Sequence, residues 1–307
     1  MNLSSVNGTL SPWIPSAFFR IAVTNNMIVT ILCLSINYIN GTLVYTFRKH
    51  QIFNTNPRYI LFIHLVINDI IQLVLSTSLY ILSYAFRTIY VPICLILLVV
   101  SILTTLNTPL NLAAMAVECY IAICIPLRHG QICTIRKTYI LIGLIWAMSF
   151  ASILPDVVIL LASEPLQFFY SRVVCDRDPV FSSAYSRKKR DISHIIFLVL
   201  VWLTLLYSYF RILFAAKEAT RGMKKARKTI LLHGFQLLLC MLTYIRPMFL
   251  AGLFHFFPTQ HRAIYFASYV IINILPRFIS PIVYGLRDQT FRQHVIRYLL
   301  CKVSISF

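Results

Sequence analysis

An all-α membrane protein, a seven-transmembrane helix bundle closed by a short amphipathic C-terminal helix, is the fold class this sequence predicts. Three observations carry the prediction. Of 307 residues, 59% are hydrophobic and only 12% charged, against roughly 25% charged in soluble domains. The mean hydropathy is +0.77, and so much apolar surface cannot be hidden inside one aqueous globule, so lipid is the expected solvent. Seven segments are apolar over the ~20 residues that a helix needs to cross a bilayer. Finally, the basic residues behind the net charge of +19 gather at the ends of those segments. That pattern sets membrane topology, so no nucleic-acid partner is expected.

Residues 1–307 read as one seven-span domain, with an outer tail over 1–20 and an inner tail over 286–307. The tail MNLSSVNGTLSPW lacks the basic and apolar regions of a cleavable signal peptide. Spans are expected at 21–47, 59–85, 91–124, 138–162, 192–216, 229–254 and 262–285. A backbone in lipid must satisfy its own hydrogen bonds, so these are helices. The third is longer than one crossing requires, as for a tilted helix that runs on into the cytosol. After the seventh, DQTFRQHVIRYLLCK puts Phe291, Val295, Tyr298 and Leu299 on one face, with Arg292, Arg297 and Lys302 at its edges. Such a helix lies on the inner leaflet. Cys301 beside it is either a palmitoylation site or a plain thiol.

Lys and Arg counts give the orientation. With the N-terminus outside, the inner side receives Arg48, Lys49, Arg58, Arg128, Arg136, Lys137, Arg211, Lys217, Arg221, Lys224, Lys225, Arg227, Lys228, Arg287, Arg292, Arg297 and Lys302. The outer side keeps Arg20, Arg87, Arg172, Arg177, Arg262 and the run Arg187, Lys188, Lys189, Arg190. Seventeen against nine favours an extracellular N-terminus at the plasma membrane. The RKKR run, expected in a loop of about thirty residues, works against the rule. Asn7-Gly8-Thr9 is a glycosylation sequon in the outer tail and agrees with it.

The stretch MAVECYIAICIPLRHG, residues 115–130, sits where the third span meets the cytosol. It closely resembles the MAxxRYxAICxPLxY signature of odorant receptors, members of the rhodopsin-like class, and its PLRH ending is similar to that of the fish members. Asn40-Gly41, Asp69 and Trp146 match marker residues of the first, second and fourth helices. Ser208-Tyr209-Phe210-Arg211-Ile212 matches SYxxI, and Lys225-Ala226, Thr229 and His233 match KAxxTxxxH. PIVYGLR at 281–287, which contains Tyr284, matches PIIYGLR. The resemblance spans nearly the whole chain in order.

It implies that a small-molecule odorant binds in the outer half of the bundle. Signalling would run through a heterotrimeric G protein, of the olfactory stimulatory type, using Glu118, Cys119, Tyr120, Tyr209, His233 and Tyr284. One departure matters: the family's arginine after the acid is Cys119 here. Glu118 is therefore expected to be either solvated or paired with Arg128, Arg136 or a sixth-helix base such as Lys228. The resemblance also places a disulfide between Cys94 and Cys175, and an exported loop is an oxidising setting. The additional loop cysteines of most family members are absent.

Two further charges fall inside spans, where each unpaired one costs several kcal/mol. Asp69 and Arg277 are expected to form a buried ion pair, in the place where many related receptors hold sodium; the alternative has Arg277 reaching water through a cavity. Pro276 and Pro281 supply a hinge in the seventh helix. Arg246, one residue before Pro247, either faces a cavity and favours an anionic or carbonyl-bearing ligand or extends to the outer interface.

Helical phase puts Ser101, Ile102 and Thr105 on the inward face of the third span. Leu198 and Trp202 from the fifth, Tyr244 and Met248 from the sixth, and Tyr269 and Asn273 from the seventh complete the candidate ligand pocket. Each of these fits ordinary helix packing as well. The eight histidines are scattered without metal-ligand spacing, so neither metal nor cofactor is expected. No nucleophile, base and orienter are grouped, which leaves an enzyme unsupported. A channel or transporter would show internal repeats or broken helix pairs, and none is evident. Cys119 also raises a constitutively active or dimerising receptor with altered G-protein coupling, so a homodimer remains among the partners.

Overall fold

The computed structural model describes residues 13–85, 88–215, 231, 234–235, 238, 249–250, 252–257, 259–280 and 289–299. Among the described residues six helices are long and apolar enough to cross a membrane. They are Arg20–Lys49, Pro57–Ser83, Val91–Cys124, Ile135–Ser163, Tyr185–Ile212 and Ala263–Ser280. These are the first five expected spans and the seventh. The sixth, at 229–254, lies mostly outside the described residues.

Local sequence sets the helix ends. Pro57 opens the second helix, Pro57–Ala85, and Pro92 sits in the first turn of the third, Val91–Cys124, where a missing N–H costs nothing. Pro126 ends the third helix and starts a short one, Pro126–Ile132. Thr134 caps the fourth, Ile135–Ser163, by accepting from the Lys137 amide at 3.3 Å. The third helix, at 34 residues, rises about 51 Å and overshoots the ~30 Å hydrocarbon core, as its sequence predicts.

The third span is central, packed against the second, fourth and fifth, while the first packs on the second. The helix Gln289–Leu299 lies against the first span. Phe291, almost fully buried, anchors it among Phe53, Tyr59 and Phe62. At the other end of the bundle two short strands, Ile89–Tyr90 (β1) and Arg172–Val173 (β2), pair antiparallel. The Cys94–Cys175 disulfide closes the same end. The two ends are called below the disulfide end and the Glu118 end.

The fifth helix corrects one expectation. It starts at Ala184, not near 192, so the RKKR run is helical and not part of a long loop. The charges are tolerated because acids meet them: Lys189 Nζ donates to Asp156 Oδ1 at 2.8 Å, and Arg190 is bonded to Asp178 and Asp191.

Candidate functional site

Two of the expected pocket residues, Thr105 and Tyr269, bond to a polar stripe of the second span. Asn68, Asp69, Gln72 and Ser76 follow one another at helical spacing. Asn68 Nδ2 donates to the Thr104 carbonyl (2.8 Å) and to Thr108 Oγ1 (2.9 Å). Gln72 Nε2 donates to Thr105 Oγ1 at 2.7 Å, and Thr105 in turn donates to the Ser101 carbonyl at 2.8 Å. One turn further, Tyr269 on the seventh span shares a hydrogen bond with Thr77 (3.0 Å), donates to Ser76 (3.4 Å), and stacks on Tyr80 with ring centroids 4.4 Å apart. Thr105 and Tyr269 are thus joined through the second span.

The other named residues are placed differently. Ile102 is buried with Leu98, Leu106, Ile153 and Leu160, so it packs toward the fourth span. Leu198 and Trp202 are half-buried against a cluster holding Val201 and Leu205. Asn273 is half-buried in a π-helical turn, Val270–Ile274. Tyr244, Arg246, Met248, His233, Tyr284 and the sequon at Asn7 lie outside the described residues.

That π turn has a local cause. Pro276 has no N–H to give the Ile272 carbonyl, its partner one turn back. Arg277 Nη1 supplies the missing donor at 3.0 Å. The same guanidinium places Nε 4.0 Å from Asp69 Oδ1, with both residues almost fully buried. Ser280 donates to Asp69 Oδ2 at 2.8 Å and to the Pro276 carbonyl at 3.2 Å. Arg277 therefore closes a backbone gap and faces a carboxylate at once. π turns inside helices frequently fall at functional sites.

At the Glu118 end the expected partners are replaced by others. Glu118, 5% exposed, is neither solvated nor bound to Arg128 or Arg136, which are both exposed. Its Oε2 accepts from Arg58 Nε at 2.9 Å, and its Oε1 is 3.1 Å from His129 Nε2. Arg58 stands at the start of the second span and His129 on the short helix after Pro126, so both reach sideways to the acid. Lys228 lies outside the described residues. Cys119 is buried against Ile212 of the fifth span, with Tyr120, Ile123, Cys124 and Tyr209 around them. Burial first, with Glu118 nearby, pushes the Cys133 thiol of the adjoining loop up, so it is a poor nucleophile.

Sequence reasoning misses Asp156. It lies in the fourth span, 2% exposed, with Lys189 Nζ at 2.8 Å and Arg177 Nη2 at 3.7 Å. Burial and the neighbouring Arg190 push the Arg177 guanidinium down to about 10, against the pull of Asp156, Asp178 and Asp191. An ionisable residue inside a span marks a site by default, so the signal was present. Trp146, by contrast, is legible as a marker but not in its contact: its Nε1 donates to His64 Nε2 at 2.9 Å, tying the fourth span to the second.

Comparison with known proteins agrees with this architecture. Residues 39–284 match the family described as 7 transmembrane receptor (rhodopsin family). The chain is 30% identical to Odorant receptor 131-2 of Danio rerio, over 99% of this chain and 94% of that one. It is 26% identical to the human Olfactory receptor 6K3, over 62% of this chain and 58% of the relative. Against the human Olfactory receptor 10P1 it is 27% identical over 62% of this chain and 61% of the relative. The family is one of receptors and not of enzymes. A bundle of membrane-crossing helices with a third-span acid at one end and a third-span disulfide at the other, matched along nearly its full length, belongs to the rhodopsin family of seven-transmembrane receptors, among its odorant receptors.

Proposed function

We propose that the chain is an odorant receptor of the plasma membrane, with its N-terminus and disulfide end outside and its Glu118 end in the cytosol. A small molecule binds between the third, fifth, sixth and seventh spans, near Ser101, Thr105, Tyr269 and Asn273. Binding shifts a population between two helix packings, and the Glu118 end then engages a heterotrimeric G protein of the olfactory stimulatory type. The observation that supports this most directly is the near-full-length match to an odorant receptor. The geometry fits it: Gln72, Ser76 and Thr77 tie Thr105 to Tyr269, so a ligand near either residue bears on both spans.

Coupling follows a different route from the family pattern. With Cys119 buried against Ile212, no cation leaves the third span at that position. The resting state is held instead by Arg58 and His129 on Glu118. A ligand screen with a cAMP reporter tests both halves of the proposal, together with epitope tags on the two ends. Only the N-terminal tag should stain in intact cells, and at least one odorant should raise cAMP. Cys119→Arg should alter basal or stimulated output, and Arg246→Ala should abolish responses to carboxylic acids if Arg246 faces the pocket. Staining of both tags in intact cells would overturn the orientation, and a Cys119→Arg receptor indistinguishable from the native chain would overturn the coupling route.

A further inference from the structure

Where the first span ends, side chains that are cations or can become so converge on the last helix. The His50 and His294 rings lie 4.3 Å apart, centroid to centroid, and His50 Nε2 is 3.2 Å from the Tyr298 hydroxyl. Lys49 Nζ stands 5.1 Å from the centre of the Tyr298 ring and 5.6 Å from that of Tyr45. Arg297, exposed and one turn after His294, is near enough for its charge to act on His50. No acid answers this cluster. The chain has no Asp or Glu before Asp69 or after Asp288. Among the described residues no carboxylate pairs with Lys49 or Arg297, and Glu118 is taken by Arg58 and His129. Like charges packed together repel unless an anion from outside joins them. The same elements also expose Tyr45, Ile52 and Ile296, and an amphipathic helix docked in this way lies on a lipid surface.

We infer that Lys49, His50, His294, Arg297 and Tyr298 form a binding site for the headgroup of a phosphoinositide, a lipid that carries phosphate monoesters. Basic clusters at the membrane edge of a helix suit such headgroups. A phosphate monoester carries a charge of about −1.5 to −2 near neutrality and three acceptor oxygens. Lys49 and Arg297 offer it charged N–H donors, the stronger class of hydrogen bond. When His50 donates to Tyr298, the phenol keeps its own proton for the headgroup. Tyr45, Ile52 and Ile296 are left to meet the acyl chains. Phosphatidylserine, with a single net charge, leaves most of the cluster uncompensated. Only the leaflet in which the lipid sits rests on the orientation proposed above.

The test uses the full chain in phosphatidylcholine nanodiscs, which open both faces to solvent, so it depends neither on orientation nor on odorant signalling. Adding phosphatidylinositol bisphosphate should slow hydrogen exchange over residues 289–299 in a saturable way. Phosphatidylserine at equal total charge should not. Lys49→Gln combined with Arg297→Gln, two exposed positions, should weaken the apparent affinity roughly twentyfold. Arg136→Gln, an exposed base of the same end on the fourth span, should leave it unchanged. If the double variant fails to fold, the comparison of lipids on the native chain decides alone. Equal protection by phosphatidylserine, or an equal loss in Arg136→Gln, would reduce the cluster to general attraction between a basic face and an anionic leaflet and overturn the inference. Soluble inositol trisphosphate acting as well as the lipid would make the ligand a free phosphate and overturn it too. So would no protection at all, or protection unchanged in the double variant.

Discussion

Each end of the bundle buries one carboxylate and gives it two bases, yet the two clusters are held in different ways. At the disulfide end Asp156 receives Lys189 from the fifth span and Arg177 from the loop that the Cys94–Cys175 bridge and the β1–β2 pair pin down. Nearby Asp178 and Asp191 hold Arg190. At the Glu118 end the bases come from the start of the second span and from a seven-residue helix. There is no covalent tie between those elements, and the imidazole is a cation only when protonated. The first cluster is a frame and the second a catch. The function proposed above, binding toward one end and moving at the other, needs that asymmetry, because transitions use elements that can rest in two packings.

The largest effect is expected at the frame. Asp156→Ala leaves two half-buried cations facing each other, and removing one partner of a buried pair costs about 3–5 kcal/mol. Thermal unfolding of the purified receptor measures it. Pairing the change with Lys189→Met should recover a part of the loss, since one stranded charge goes with it. A loss below about 1 kcal/mol, the level of an exposed pair, would mean that the bases simply reach water and that the disulfide end is no stiffer than the other.

Next in size comes the centre, which links the two ends. Asp69→Ala strands the Arg277 guanidinium in the bundle, and a guanidinium cannot shed its charge. Arg277→Met strands a carboxylate that can take up a proton and that keeps Ser280. Asp69→Ala should therefore be the more damaging of the two, by about 1–3 kcal/mol. Arg277→Met should also loosen the π turn, because the Ile272 carbonyl loses its donor. Faster hydrogen exchange near Val270–Ile274 reports that. The reverse order of damage would show that the backbone contact, and not the ion pair, keeps Arg277 in place.

The catch should respond in signalling more than in stability. Glu118→Gln keeps the shape but loses the charge, and bonds to a charged group are worth about 1.5–3 kcal/mol. If half of that falls on the resting packing alone, the active fraction rises roughly fivefold, since about 1 kcal/mol is a factor of five. Basal cAMP in the absence of ligand should rise accordingly, and Arg58→Ala should act in the same direction. Unchanged basal output in both would reduce this end to a second frame.

What the sequence reveals divides along the same line. Spans are legible because ~20 apolar residues in a row have few other uses, and Asp69 and Arg277 because charge stands out against that background. Asp156 meets the same criterion. It is overlooked because it sits toward one end of its span, where a charge looks ordinary, and because its partner is hidden in an RKKR run that reads as a topology defect. Arg58 and His129 are not legible at all. They come from two elements that sequence spacing does not relate, and the permanently charged Arg128 and Arg136 are the natural guess. Only the packing of the second span on the third, with the turn at Pro126, decides between them.

The smallest effect concerns the helix Gln289–Leu299 beside the catch. His50 Nε2 lies 3.2 Å from the Tyr298 hydroxyl, and its ring is 4.3 Å from that of His294. Lys49, reaching over the rings of Tyr45 and Tyr298, and Arg297 add positive charge. Burial first, then His294, Lys49 and Arg297, lowers the His50 pKa from its ordinary 6.5. The docked helix thus prefers neutral His50. Its docking is at full strength above pH 6.5 and weakens as the pH falls below that value, because the undocked histidine takes up its proton first. Hydrogen exchange of residues 289–299 at pH 7.5 and at mildly acidic pH measures this, and protection should fall on acidification beyond the intrinsic change in exchange rate. In His50→Phe, which keeps the ring against Phe53, the difference should vanish. Protection that holds steady or increases in acid would place the anchoring entirely in Phe291, and the catch would then sit beside a helix as fixed as the frame at the opposite end.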